Sequence, residues 1–361
     1  MLKAPPSGPL SVAMFSRAKH TGYYSMEKVF QAVHAALPPD VEARVVTLPV
    51  HARGFWRRIL CIAYAARHRS TVNHVVGDIS FIAPALPGSR TIVTVHDFDR
   101  LYRLSGLRAA LFRTVYFSIP FRHCRRITAI SAQVARELAE LFPWAAHKTV
   151  VIPDCLPAGF SFTPKTTNSR RATILQVGAK PNKNLERLIR ALEGLPCQLH
   201  VVGALSDYQR ALLQRYRITY RNSVDLTETD LLAAYVEADI VSFVSTYEGF
   251  GLPILEANAI GRPVITSNIP PMSEVAGPAA CQVDPHDVRA IRNGIARLLT
   301  SSEYRAELVR QGLQNVRRYS AAEVARQFAS LYQTVARQAG DLEEPGLPVR
   351  NTACAGARRT S

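Results

Sequence analysis

Short apolar runs recur along the chain, each followed by a stretch with helical spacing of its apolar positions. This alternation predicts parallel sheets covered by helices. The first set of runs falls at residues 11–15, 43–48, 74–76, 91–95, 126–130 and 149–152. A segment rich in Pro, Ser and Thr, 158–171, breaks the pattern and reads as a linker. A second alternating set begins at Ala172. Within it, 239–245 (DIVSFVS) has the length and β-branched content of a buried parallel strand, and 263–267 reads as the next strand. Between them Gly249 and Gly251 permit a sharp turn, Pro253 suits a first helical position, and Gly261 suits the helix end. A further helix is predicted over 321–338. The stretch 339–361 has no periodic apolar face and is expected to be disordered. The expected fold class is α/β, with one helix-covered parallel sheet in each of two domains, 1–157 and 172–320.

This layout gives some polar residues a chemical position. Glu248 falls at the carboxyl end of a strand, where open α/β sheets bind ligands. Glu256 falls in the first turn of the following helix, whose unpaired amides attract an anion such as a phosphate. Lys180 and Lys183 stand on the turn that follows the strand ending near Gly178. His96 and Asp97 close the run 91–95, and so fall at the carboxyl end of a strand in the first domain. Taken singly, each has a plain alternative: a helix-start acid favoured by the dipole, solvated turn lysines, a structural histidine.

Together they form a pattern. Tyr247-Glu248-Gly249-Phe250-Gly251-Leu252-Pro253-Ile254-Leu255-Glu256 resembles the retaining nucleotide-sugar glycosyltransferases of family 4 (glycosyl transferases group 1), which have the GT-B fold. The likeness continues in 174–183 (ILQVGAKPNK), 184–188 (NLERL), 230–239, 261–267, Ser273-Glu274-Val275 and Val283-Asp284-Pro285. Upstream it includes 91–97 (TIVTVHD), 127–131 (ITAIS) and 150–153 (VVIP). The resemblance implies two facing Rossmann-like domains with an interdomain cleft, and a 321–338 helix that crosses back to the first domain. It implies a metal-independent transfer of a hexose-type sugar from a nucleotide-diphosphate donor to a saccharide or lipid-linked acceptor, in bacterial surface or extracellular polysaccharide synthesis. Glu256 would hold the ribose diol, and Glu248 the sugar hydroxyls, with the Gly249, Phe250 and Gly251 amides donating. Lys183 and Lys180 would offset the departing diphosphate beside the Gly178 turn. His96 would contact the donor sugar's primary hydroxyl, and Gly22 would lie on the first-domain loop near the reacting centre. Retention would follow same-face attack, the leaving phosphate oxygen taking the acceptor's proton. Glu274 receives no catalytic role. A sugar-nucleotide epimerase or phosphorylase on the same scaffold is the alternative enzyme.

Charge adds a partner. The net charge is +16, and residues 1–160 carry +11 of it. The basic residues are not interleaved with a nucleic-acid-binding module, which argues against that class. An anionic surface near the first domain fits better. Residues 53–69 (RGFWRRILCIAYAARHR) set Phe55, Ile59, Ile62 and Ala66 on one helical face with Trp56 and Ala63 beside them. Arg53 and Arg57 point away, and Arg58 and Arg69 flank. Such a helix suits an anionic bilayer, and its plain alternative is a crossover helix with that face in the core. Asp97-Phe98-Asp99 also spells the acid pair that holds a divalent ion in metal-dependent GT-A enzymes. That reading is set aside because the second domain already supplies cationic groups, so no metal or other cofactor is expected. The six cysteines show no paired spacing, which fits a reducing cytosol. Neither a span of roughly 20 apolar residues nor a signal-peptide pattern is present. The expected location is cytoplasmic, including the inner face of the membrane.

Overall fold

Two six-stranded sheets organise the computed structural model, which describes residues 8–18, 25–165 and 171–342. The first contains β1 (Leu10–Ser16), β2 (Val41–Thr47), β3 (Val72–Val75), β4 (Thr91–Val95), β5 (Arg126–Ala129) and β6 (Thr149–Val151), in the order β2-β1-β3-β4-β5-β6. The second contains β7 (Ala172–Val177), β8 (Cys197–Val202), β9 (Tyr220–Ser223), β10 (Ile240–Phe243), β11 (Val264–Ser267) and β12 (Cys281–Val283), in the order β12-β11-β10-β7-β8-β9. All pairings are parallel. Helices cover the sheet faces, so β3, β4, β10 and β11 are buried along their whole length. This is why β4, β10 and β11 read as largely apolar runs rather than alternating ones, while β3 buries the polar Asn73 and His74. Strand order reverses between β1 and β3 and again between β7 and β10. Such switch points open a crevice at the carboxyl ends of the strands.

The last long helix, Ala321–Gln338, packs on the first sheet rather than the second. Tyr332 hydroxyl lies 2.7 Å from His74 Nδ1, His74 Nε2 lies 2.7 Å from Thr94 Oγ1, and Thr94 reaches Thr128 at 2.7 Å. Burial, aided by His96, lowers the His74 pKa to about 3, so the ring is neutral and can donate at one nitrogen while accepting at the other. Phe328 packs against Phe30 with ring centroids 5.7 Å apart. The chain thus passes between the sheets twice. The two passages touch where Leu156 N–H donates to the Tyr319 carbonyl at 2.9 Å.

Phe55–Arg67 forms a helix, and the face carrying Phe55 and Ile59 is not the one set in the core. Cys61 and Ala65 are its buried residues, while Phe55 and Trp56 are 68% and 78% exposed and Ile59 and Leu60 are also exposed. The protein-facing side is the one whose small residues, four apart, allow close approach to the domain. Phe55 and Ile59 are therefore turned outward. Cys61, Cys124, Cys155, Cys197 and Cys281 are free and buried. No helix among the described residues is long and apolar enough to cross a membrane. Gly22 and residues 343–361 lie outside the described residues.

Candidate active site

The second-domain wall of the site is built on the switch point between β7 and β10. After β7 the chain turns at Gly178, whose φ of +94° belongs to the left-handed region. A side chain there would also meet the stem of Lys183, with Lys183 Cγ only 3.0 Å from the position of a Cβ. Lys183 is placed by its backbone, because buried Gln176 donates to its carbonyl at 3.0 Å. Asn184, also buried, binds the turn to the end of β10 by donating to the Val244 carbonyl at 2.9 Å. The Lys183 ammonium then reaches Glu248 Oε1 at 2.7 Å and lies 4.8 Å from the centre of the Phe243 ring. Asn182 donates to the same Glu248 oxygen at 3.2 Å and to the Tyr247 carbonyl at 3.0 Å. Lys180 stands at the exposed edge of this turn. The structure thus brings Lys183 and Glu248 together and leaves Lys180 apart.

Beyond Glu248 the loop runs into the helix Leu252–Ile260, entered through Gly251 with φ of +134° and left through Gly261 with φ of +80°. Pro253 occupies its first turn, where a missing N–H costs nothing. Glu256 is only 1% exposed, and Tyr235 donates to its Oε2 at 2.5 Å. The Phe250 ring is also buried, against Tyr319 at 5.6 Å, so this residue offers the cleft its backbone rather than its side chain.

The first-domain wall meets this loop directly. His96, 6% exposed at the end of β4, points Nε2 at the Val76 carbonyl, 2.9 Å away. A carbonyl can only accept, so in the neutral ring Nε2 carries the hydrogen and Nδ1 is a bare acceptor. Nδ1 is buried and has no hydrogen-bond partner. A buried polar atom left without a partner calls for an explanation, and a ligand hydroxyl would supply one. Gly249 lies so close to His96 that a Cβ on it would collide with the His96 carbonyl oxygen. Ser131, which caps the helix Ala132–Leu141 by accepting from Val134 N–H at 3.1 Å, donates its hydroxyl to the Gly249 carbonyl at 2.8 Å. Asp154 is buried near His96, and burial raises its pKa to about 6 although His96 opposes the shift.

The Asp97 and Asp99 carboxylates are engaged locally. Asp97 Oδ1 accepts from Asp99 N–H at 3.0 Å, and Asp99 pairs with Arg103 at 2.9 Å. The Asp97 pKa is raised, first by burial and then by neighbouring Asp78. Glu274 pairs with Arg136 of the first domain at 2.7 Å.

Comparison with known proteins decides the family. Residues 160–315 match the model described as glycosyl transferases group 1, and residues 24–157 match that of glycosyltransferase family 4. The chain belongs to the group 1 glycosyltransferases. It is similar to the serotype-specific mannosyltransferase WbdA of Escherichia coli, with 28% identity over 263 residues, 65% of this chain and 32% of the relative. It is also similar to the O-antigen chain mannosyltransferase B of Escherichia coli, with 32% identity over 234 residues, 57% of this chain and 60% of the relative. The chain therefore spans less than two thirds of either mannosyltransferase. Among solved structures, Anabaena HepE in complex with UDP and glucose superposes with a TM-score of 0.72 at 14% identity, covering 90% of this chain and 100% of that one. That likeness is one of fold, and the two parallel sheets are those of a GT-B glycosyltransferase.

Sequence reasoning gave no role in this glycosyltransferase to Asn182, Ser131, Asp154 or Glu137. Ser131 carried a signal, since a serine directly before a helical pattern is a helix cap. Asn182 sits in the quoted turn but has an ordinary turn-residue explanation. Nothing in the local sequence marks Asp154 or Glu137.

Proposed function

We propose that this glycosyltransferase moves a hexose from a nucleotide-diphosphate donor to a saccharide or lipid-linked saccharide during assembly of a surface polysaccharide. The observation that carries the proposal is the Lys183–Glu248 pair, 2.7 Å apart at the switch point of the second sheet, with the unpartnered Nδ1 of His96 on the facing wall. Glu248 accepts from the sugar hydroxyls, and a sugar hydroxyl donates to His96 Nδ1. Glu256 takes the ribose, oriented by Tyr235. The amides that open the Leu252–Ile260 helix and the Lys183 ammonium stabilise the departing diphosphate, electrostatic work that a metal ion performs in other transferases. The acceptor oxygen attacks the anomeric carbon on the face from which the phosphate leaves. The bond from that carbon to the phosphate oxygen breaks, and the same oxygen takes the acceptor's proton, so configuration is retained. The mannosyltransferase relatives favour mannose as the sugar.

The acceptor side adds a membrane. Phe55, Trp56, Ile59 and Leu60 project from the first domain with exposed Arg53 and Arg57 beside them, and Arg58 rests 5.7 Å from the Tyr116 ring. Exposed aromatics among arginines fit an anionic bilayer surface where a lipid-linked acceptor resides. Each arginine contributes about 1 kcal/mol there.

The direct test is thermal stabilisation by UDP, GDP, ADP and dTDP, since a ligand at about 100 times its dissociation constant adds roughly 2.7 kcal/mol. Turnover of GDP-mannose and UDP-glucose in excess chelator follows, with the anomeric configuration of the product read by NMR. Stabilisation by one nucleotide and retained turnover are expected. Activity lost on chelation and restored by manganese would overturn metal independence, and release of nucleotide diphosphate without acceptor-dependent product would overturn transfer.

A further inference from the structure

Tyr247, the residue immediately before Glu248, sends its side chain across the cleft into the first domain. Its hydroxyl accepts from Phe98 N–H at 3.2 Å and donates to Glu137 Oε2 at 3.0 Å. Tyr102 donates to the same carboxylate oxygen at 3.0 Å, and Gln133 donates to the other oxygen at 2.9 Å. The Tyr102 and Tyr247 rings meet edge-on, with centroids 6.0 Å apart and planes at 87°. Glu137 is 6% exposed, so its carboxylate depends on these donors to offset the loss of water. One of them belongs to the other domain and reaches Glu137 only when the two domains are together. Burial raises the pKa of both tyrosines, Tyr102 to about 12, and the Glu137 charge adds to the effect. Both phenols therefore keep the protons they donate throughout the neutral range.

The position of this contact in the chain gives it a consequence for catalysis. Tyr247 adjoins Glu248, and Phe98 lies two residues after His96. The hydroxyl of Tyr247 thus ties together the two loops that carry the groups facing the donor sugar from opposite walls. We propose that Glu137 is a positioning residue that, through Tyr247, holds Glu248 and His96 in register across the cleft. The inference rests on the reading of Glu248 and His96 as donor-sugar contacts.

The test compares Tyr247→Phe, Glu137→Ala, Glu137→Gln and the double variant Tyr247→Phe/Glu137→Ala with wild type. Turnover is measured with GDP-mannose and UDP-glucose, and nucleotide affinity by thermal shift. Tyr247→Phe removes one oxygen atom and leaves the ring packing, so it remains informative if Glu137→Ala fails to fold. Expected are a tenfold to hundredfold fall in kcat for Tyr247→Phe and Glu137→Ala, with nucleotide affinity within twofold of wild type. Glu137→Gln, which keeps an acceptor oxygen, should recover most of the activity. The double variant should be no slower than the slower single, because both remove one interaction. Hydrogen exchange at the Phe98 amide should quicken in Tyr247→Phe. Wild-type kcat in Tyr247→Phe, or losses that multiply in the double variant, would overturn the proposal. So would a Glu137→Gln variant as slow as Glu137→Ala. Glu248→Gln, assayed in parallel, separates two failures. Full activity in Glu248→Gln removes the reading of the site itself, whereas an inactive Glu248→Gln beside a fully active Tyr247→Phe removes only the positioning role.

Discussion

Replacing Gly249 with alanine tests the geometry of the site with a single methyl group. The added carbon would collide with the His96 carbonyl oxygen, and it would lie 3.1 Å from the His96 carbonyl carbon and 3.4 Å from Asp97 Cβ. The obstacle is backbone at the end of a buried strand, so no side chain can swing aside. The φ of Gly249 is outside the left-handed region, so the collision is the whole effect. Carbon atoms rest about 3.5 to 4.0 Å apart, and relief requires the loop to back away by about 1 Å. A displacement of about 1 Å at a reacting centre costs roughly 100-fold in rate, equivalent to about 2.7 kcal/mol of barrier. The assay is kcat for transfer at saturating donor and acceptor, with thermal unfolding and nucleotide affinity as controls. Affinity should hold, because Gly178, Lys183 and the Leu252–Ile260 helix all belong to the second domain and are not strained by the methyl. A folded Gly249→Ala variant with kcat within threefold of wild type would refute the idea that this contact sets the catalytic register.

Other substitutions probe separate parts of the molecule. Lys183→Ala should lower kcat by about 100-fold or more, as loss of an electrostatic stabiliser does, while exposed Lys180→Ala should change it by less than threefold; equal losses in the two would contradict the placement of the turn. Arg53, Arg57 and Arg58→Glu together, or Phe55 and Trp56→Ser, should abolish co-sedimentation with anionic liposomes and leave nucleotide binding intact; unchanged partitioning would exclude this helix as the membrane contact. Asp154 holds a proton in the folded state that the unfolded chain releases between about pH 4 and pH 6, so its contribution lowers stability as pH rises through that window, by about 3 kcal/mol in full above it. Asp154→Asn should remove that decline, and identical denaturation midpoints for variant and wild type at pH 4, 5 and 6 would show that the carboxyl is not buried as described.

Much of the framework was legible in the sequence because it is local. Strands buried on both faces leave continuous apolar runs, and the Leu252–Ile260 helix announces its ends with Pro253 and Gly261. The partners across the cleft were not legible, since Tyr247 meets Glu137 across 110 positions and Ser131 meets Gly249 across 118. Spacing placed Gly249 in a turn, but its small size answers to the His96 carbonyl of the other domain. It placed Glu256 in the first helical turn, whereas the helix begins at Leu252 and carries Glu256 in its second turn, and it did not indicate that Tyr235 would cover it. Periodicity grouped Phe55 with Ile59 correctly as neighbours, yet it carries no information about which face meets the protein. That choice fell to Cys61 and Ala65, which permit the closest approach.

A body held by one thread can tumble, whereas a body held by two adjacent threads keeps a single easy rotation. The touching passages at Leu156 and Tyr319 give the second sheet that kind of attachment to the first. Any swing of one sheet relative to the other would turn about an axis through the pair, and displacement in a swing grows with distance from the axis. The Phe250 ring rests on Tyr319, so the loop bearing Glu248 starts close to the pivot. In such a swing, cleft walls farther out would travel farther than the loop for the same angle, and the Tyr247–Glu137 and Ser131–Gly249 hydrogen bonds between the domains would have to open. Severing either passage alone would remove that shared axis, even with every side chain of the site unchanged.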